Sequence, residues 1–366
     1  MVEEGENVTD NGSGEPTVDE QSSPADKPGS VTIAYIAESA GVSIPTVSKV
    51  LNGRSGVSDQ TRARVEELIN HYGYRKSAAN RANVVELVFR ELESLWAVEI
   101  IRGVERVARR NRAGVMVSEL ALHDSQPISI DDTVRRRPSC VLSVSQLSQK
   151  EREQLEAKGI PFVVIHPIND LPDDVPFVGA TDFRGGHTAV RHLLGLGHRR
   201  IAMLSGPDHP YFLARKAGYL AALAEAGVPA EPDLLVQTQP TREEGHAAAR
   251  DLLSRDDRPT AVFTANDFQA VGVYQAAREL GLSIPADLSV VGFDDLPIAA
   301  WVEPPLTTVH QPLTEMAVAA TELALALGRG EEVGQVGLEI ATTLTVRAST
   351  APPKARPARA ARKEPR

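Results

Sequence analysis

Residues 31–52, VTIAYIAESAGVSIPTVSKVLN, constrain this chain more than any other stretch. Apolar residues recur at helical spacing on both sides of Ala40-Gly41, in segments only about two turns long. Helices that short are marginal alone and need a shared core. Thr32 is placed to cap the first, with Ile33, Ile36 and Ala37 facing inward. Gly41 gives the turn its freedom at positive φ. Ser43 is placed to cap the second helix, and Pro45 falls in its first turn, where a missing N–H costs nothing. Val47, Val50 and Leu51 point inward, leaving Ile44, Pro45, Thr46, Ser48 and Lys49 outside. A third helix is expected from Val57-Ser58-Asp59 to His71-Tyr72-Gly73-Tyr74, with Val65, Leu68 and Ile69 buried and Gly73 as its cap. This is the helix-turn-helix pattern, which lays its second helix in the major groove of DNA. The rival reading, a three-helix piece with no nucleic-acid partner, leaves the outward Thr, Ser and Lys set without a purpose.

Bulk charge does not advertise such a partner, since the 366 residues carry a net charge of −10. The excess is local. Residues 1–30 hold eight acids and one base among Gly, Ser and Pro, a composition expected to be disordered. That segment has neither the basic start nor the apolar run of a signal peptide. Residues 31–76 hold six basic and four acidic side chains. Residues 349–366 read as a solvated basic tail, with phosphate contact as the rival reading. No apolar run approaches the roughly 18 residues of a membrane span. The single cysteine, Cys140, sits in an apolar run and is expected to be an inert buried thiol. A cytoplasmic protein without disulfides, and with no membrane partner, follows.

From Val84 onward, β-branched runs alternate with helical segments. Strands are expected at Val84–Phe89, Val115–Glu119, Cys140–Ser145, Phe162–His166, Val178–Asp182, Ile201–Ser205, Ala261–Ala265, Ser289–Phe293 and Thr342–Val346. Helices are expected at Trp96–Asn111, Glu151–Lys158, Arg184–Leu196, Phe212–Ala226 and Leu313–Leu327. The fold class is α/β, with parallel sheets behind an all-α headpiece. Nine strands suit two sheets, and two facing lobes make a cleft at the carboxyl ends of their strands. No G-x-G-x-x-G, G-x-x-x-x-G-K-[ST], H-E-x-x-H, paired Cys-x-x-Cys or G-x-S-x-G occurs, so nothing announces a cofactor, a metal or an enzyme.

Four blocks, AGVSIPTVSKVLNGRSGVS, HLLGLGHRRIAMLSGP, TANDFQAVGVYQAARELGLSIPADLSVVGFDD and PPLTTVHQP, resemble in order and spacing the lactose-repressor (LacI/GalR) family of bacterial transcriptional regulators. The resemblance runs from Val31 to about Val346. It implies a headpiece over 31–76, a hinge over 77–83, and a two-lobed core over 84–348 like a periplasmic sugar-binding protein. It also implies a homodimer or tetramer on a near-palindromic operator, with a small effector, usually a sugar, between the lobes. Chain crossings are expected near Gly197-His198, near Thr308–Gln311 and just before the last strand.

Matched to the family motif, Ile44, Pro45 and Lys49 occupy base-reading positions. Thr32, Ser43, Thr46, Ser48, Asn52 and Arg54 complete the expected DNA-facing set. The family often has polar residues at the first two positions, whereas Ile44 and Pro45 offer only apolar contact. Pro45 is equally well read as a helix-start device. The hinge, Lys76-Ser77-Ala78-Ala79-Asn80-Arg81-Ala82-Asn83, lacks the family's wedge leucine, and Arg81 is the candidate to enter the minor groove in its stead.

The same matching nominates Trp96, Asp182, Arg215, Asn266 and Asp294 as effector ligands. An Arg fork and carboxylates hold several hydroxyls at once, and Trp96 offers a stacking face. Each has a rival role: a helix cap for Asp182, a surface ion pair for Arg215, core packing for Trp96. Asp267 is expected to cap a helix, and Asp295, His198 and His310 to be structural. The expected function is a repressor of carbohydrate-utilisation genes released by a mono- or oligosaccharide. The alternatives are a corepressor-type regulator answering to a purine or other metabolite, a transport-type sugar-binding protein, which would need a signal peptide and no headpiece, and a sugar-acting enzyme using Asp182 and Asp294 as acid and base.

Overall fold

A computed structural model describes residues 32–51, 55–72, 83–89, 92, 95–119, 129–144, 147–331 and 333–354. The chain divides into two compact units, one ending at Ser77 and the other beginning at Ala78.

The first unit holds α1 (Ile33–Ala40), α2 (Ile44–Leu51) and α3 (Asp59–His71). Its caps follow from short polar side chains at the right offsets. Thr32 Oγ1 accepts the Tyr35 N–H at 3.2 Å, Ser43 Oγ that of Thr46 at 3.3 Å, and Ser58 Oγ that of Thr61 at 3.3 Å. Gly41 ends α1 at φ 65°. Ile36, Ala37, Ala40, Val47, Val50 and Val65 form the buried core. Leu51, Leu68 and Ile69 pack at its margin. Tyr72 follows α3 and meets Tyr35 edge-on at 5.3 Å. Gly73, the expected cap, lies outside the described residues, as do residues 1–31 and 77–82.

The second unit has two sheets of six strands. The first runs β11 (Gly337–Ile340), β5 (Phe177–Ala180), β4 (Phe162–Ile165), β3 (Cys140–Ser143), β1 (Val84–Phe89), β2 (Gly114–Glu119), all parallel. The second runs β12 (Thr343–Thr345), β10 (Thr307–His310), β9 (Ser289–Asp294), β8 (Ala261–Thr264), β6 (Ile201–Ser205), β7 (Leu235–Gln237). It is parallel except for β12, which is antiparallel to β10. Central strands are buried on both faces, which is why they read as unbroken apolar runs. On the first sheet lie α4 (Leu95–Arg110) and α12 (Leu313–Arg329) on one side, α5 (Ile130–Arg136) and α6 (Gln149–Ala157) on the other. On the second lie α7 (Asp182–Gly195) and α8 (Pro210–Glu225), opposite α9 (Arg242–Leu253) and α10 (Asp267–Glu279). The short α11 (Pro297–Trp301) follows β9. Cys140 is buried on β3.

Among the described residues twelve strands replace the nine expected. The three additional ones lack a sequence signal: β7 has three residues, β10 lies in a Thr-rich run after paired prolines, and β11 is a solvent-exposed edge. The first crossing between lobes also differs from expectation. It falls at Thr181, between β5 and α7, because α7 already packs on the second sheet. The segment at Gly197-His198 is interior to the second lobe instead. The other crossings are where expected, at Gln311-Pro312 and Ala341-Thr342. Two crossings are tied together: Thr181 Oγ1 lies 3.1 Å from Thr342 Oγ1 and accepts the Thr342 N–H at 3.0 Å.

The core does not stop at residue 348. Ser349 is fully buried, accepting the Thr307 N–H at 2.8 Å and donating to the Val290 carbonyl at 2.6 Å. His198 bonds Thr260, Ser289 and the Ala351 carbonyl, and His192 bonds Thr350. Lys354 pairs with Asp287 at 2.8 Å. Residues 349–354 are thus held on the second lobe, and 355–366 lie outside the described residues.

Helices α7 and α8 meet backbone to backbone. A Cβ on Gly186 would fall 2.3 Å from the Arg215 carbonyl, and one on Gly218 2.2 Å from that of Phe183. Gly218→Ala is therefore expected to cost about 1–3 kcal/mol of core stability through overpacking. Gly195→Ala has open space and is expected to be neutral or to gain up to roughly 1 kcal/mol. Thermal melts of the two variants showing equal midpoints would refute this packing.

Candidate functional site

The outer face of α2 is the first functional surface. Val47 and Val50 hold the helix down, leaving Pro45 and Lys49 exposed and Ile44 47% exposed. Thr46 and Ser48 are half-buried, and Thr46 Oγ1 is bonded to Ser43 Oγ at 2.9 Å. Thr32 and Ser43 both act as helix caps, so their hydroxyl oxygens are committed to backbone N–H groups. Asn52, Arg54 and Arg81 lie outside the described residues.

The second surface is organised by Arg215, which is 2% exposed. Position 215 is in the second turn of α8, where the Gly186–Gly218 contact draws α8 against α7. Its Nε donates to Asp182 Oδ1 at 2.8 Å, and Asp182 opens α7. Its Nη1 donates to the Ala265 carbonyl after β8 and lies 3.4 Å from Asp294 Oδ1 at the end of β9. Its Nη2 donates to Gln311 Oε1 at 3.1 Å, at the second crossing. The guanidinium lies 3.6 Å from the Phe293 ring centroid, a cation–π contact from below. One buried cation thus clasps three strand ends or helix starts and one crossing.

His166, just past β4, joins this cluster from the first lobe. Its Nε2 is 3.1 Å from Asp182 Oδ2 and 3.3 Å from Gln311 Nε2, and its ring stacks on Tyr211 at 4.3 Å. The charges follow from this crowding. Burial raises the Asp182 carboxyl, but Arg215 and His166 outweigh it and hold the group below its usual range. Asp294 is pushed up to about 6 by burial and by the like charge of Asp182, which Arg215 and His166 only partly offset. One guanidinium serves two carboxylates and favours the nearer.

Asp294 and Asp295 have φ of 104° and 58°, a left-handed backbone that needs support. The support is Asp267, fully buried, which accepts the Leu296 N–H at 2.8 Å and the Thr308 hydroxyl at 2.6 Å. Burial and the charge of Asp294 raise its pKa well above the usual. Asp295 is structural as expected, bonded to Arg347, Thr345 and His310. Capping is distributed differently from expectation. Asn266, not Asp267, caps α10: its Oδ1 accepts the Gln269 N–H at 2.9 Å and its Nδ2 donates to the Pro240 carbonyl at 2.8 Å.

Of the five nominated residues, Asp182, Arg215 and Asp294 converge. Asn266 lies next to Ala265 with its amide engaged at both ends. Trp96 is in the first turn of α4, half-buried against the first-lobe core, its ring 6.0 Å from Phe89. Trp301 is 73% exposed. Sequence reasoning missed His166, Tyr211 and Gln311. The motif H-Q-P at 310–312 carried the last, and D-H-P-Y-F at 208–212 the second. Among the described residues no grouping of side chains suits a metal ion, and no helix is long and apolar enough to cross a membrane.

Comparison with known proteins matches both units of the chain. Residues 32–77 match the model for bacterial regulatory proteins of the lacI family, and residues 190–350 that for a periplasmic binding protein-like domain. The chain is 34% identical to the HTH-type transcriptional regulator reg1 of Streptomyces lividans, over 87% of this chain and 96% of that one. It is 32% identical to the ribose operon repressor of Escherichia coli (strain K12), over 80% and 92%. Among solved structures it resembles the transcriptional regulator CelR–cellobiose complex (TM-score 0.66, 30% identity, 87% and 99% covered). It also resembles the lac repressor dimer bound to operator and an anti-inducer (TM-score 0.64, 26% identity, 88% and 100% covered). The chain belongs to the lacI family of bacterial transcriptional regulators.

Proposed function

We propose that this protein is a dimeric cytoplasmic repressor, without enzymatic activity, that leaves a near-palindromic operator when a neutral sugar binds the Arg215 cluster. The observation that carries the effector reading is the state of Arg215. Its donors are taken up by Asp182, Ala265, Asp294 and Gln311. Within the cluster the guanidinium faces two carboxylates, which leaves it no charge to spare for a phosphate or carboxylate, and Asp182 and Asp294 offer acceptors to hydroxyls. The likeness to a cellobiose-bound regulator and to a ribose operon repressor supports the same class. Sugar binding changes the angle between the lobes, the crossings at Thr181, Gln311 and Thr342 absorb it, and the paired headpieces lose operator spacing. The coupling expected is about 1–3 kcal/mol. Gel shifts on the promoter fragment across a sugar panel test it. No sugar altering operator binding contradicts the reading, and tightening instead of release marks a corepressor.

On the DNA side, α2 reads bases with Lys49 and Ile44, Lys49 toward guanine and Ile44 toward a thymine methyl. Lys49→Ala is expected to weaken operator binding by about 1–3 kcal/mol, more than it weakens binding to random DNA. Equal loss on both duplexes, measured by fluorescence anisotropy, reduces Lys49 to a phosphate contact.

Asp294 gives a pH signature. A sugar hydroxyl donating to its carboxylate favours the ionised form, so binding expels a proton near pH 6. Affinity is expected to fall as pH drops through 6, and Asp294→Asn to flatten that dependence. For folding the sign is opposite: a raised native pKa makes Asp294 favour the fold progressively as pH falls from 6 toward the ordinary carboxyl value of about 3.9. Calorimetry in buffers of different ionisation enthalpy reads the proton directly, and binding without proton release between pH 5.5 and 6.5 (about one Asp294 titration) excludes Asp294 as a ligand.

A further inference from the structure

A groove of about 670 Å³ opens beside the Arg215 cluster. Small-molecule sites span roughly 300–1,000 Å³. Its inner wall is His166, Asp182 and Tyr211, the same side chains that flank Arg215. Its outer walls come from the segment after β4, from β5 and β11, and from the first turns of α7 and α8.

The groove and the Arg215 cluster, which share Asp182, differ chemically. Around Arg215 nearly every polar group is committed to a protein partner. Along the groove, the side chains of Asn169, Asp170, Arg184 and Glu339 have no hydrogen bond or ion pair to other described residues. They face the same space as the rings of Phe177 and Tyr211. Two acids, one base and an amide around aromatic edges have no cationic excess to hold a phosphate. They do suit a ring with polar equatorial groups and apolar faces. A single sugar ring on the Arg215 cluster leaves this surface unused.

We propose that the groove is a second sugar subsite, so that the effector is a neutral di- or oligosaccharide whose inner ring engages Asp182 and Asp294 and whose next ring lies between Tyr211 and Glu339. This rests on the sugar reading above and narrows it. Chain length is then set by residues outside the Arg215 cluster.

The test is calorimetry of the full-length protein with glucose, xylose, cellobiose, xylobiose, maltose and maltotriose. At least one oligosaccharide is expected to bind about tenfold or more tighter than its own monosaccharide. Two variants address the groove alone. Gly179 lies on β5, where a Cβ meets only Phe177 at 3.9 Å and Glu339 at 4.0 Å, so Gly179→Leu fills the groove on an unaltered strand. The double variant Arg184→Ala/Glu339→Ala removes exposed polar groups with no bearing on the core. Both are expected to bring the oligosaccharide down to about the monosaccharide's affinity, leaving the latter within roughly twofold and operator binding intact. Monosaccharides binding as tightly as every oligosaccharide, or variants that keep the preference, overturn the subsite while the sugar reading stands. Binding of no saccharide at all overturns both.

Discussion

A single buried guanidinium organises the effector half of this protein. Arg215 is nearly inaccessible to water, and a charge so placed is tolerated only because four partners surround it. Those partners come from α7, from the ends of β8 and β9, and from the crossing at Gln311. The arrangement therefore fixes the positions of elements distant in sequence, and ties the cleft to the Gln311 crossing between the lobes. It also sets the local protonation. With one cation beside two carboxylates, Asp182 keeps its charge and Asp294 is left near neutrality's lower edge.

The rest of the core serves that placement. Glycines at 186 and 218 let α7 and α8 touch along their backbones, which brings Asp182 within reach of Arg215. Asp267 anchors the strained turn that carries Asp294. The tail from Ser349 to Lys354 closes the far end of the second lobe through His192, His198 and Asp287. The headpiece needs none of this. Its three helices share their own small core and depend on three hydroxyl caps.

Legibility in the sequence followed the physics of each signal. Val84–Phe89 and Ile201–Ser205 were readable to the residue because buried parallel strands are near-continuous apolar runs, broken in the first only by Glu86, whose buried carboxylate is held by Ser118, Thr133 and Arg136. The headpiece was readable because caps and periodicity are local. Edge strands such as Gly337–Ile340 were not, since one exposed face removes the apolar signal. The crossing at Thr181 was hidden because a crossing depends on which sheet the next helix packs against. Asp267 was read as the cap and Asn266 as a ligand, and only tertiary partners reverse the assignment: Pro240 engages the Asn266 amide, while Leu296 and Thr308 take up Asp267. His166 had no signal of its own; it matters because folding brings it against Asp182 and under the Tyr211 ring.

The most direct test of the claim that effector and operator communicate through the Arg215–Gln311 contact is the reciprocal coupling factor. It is the ratio of saccharide dissociation constants with and without operator, measured for the native chain and for Gln311→Met. The native ratio is predicted at about 5–150, and that of the variant near one, with free-protein saccharide affinity changed far less. A variant that keeps the native ratio contradicts the account.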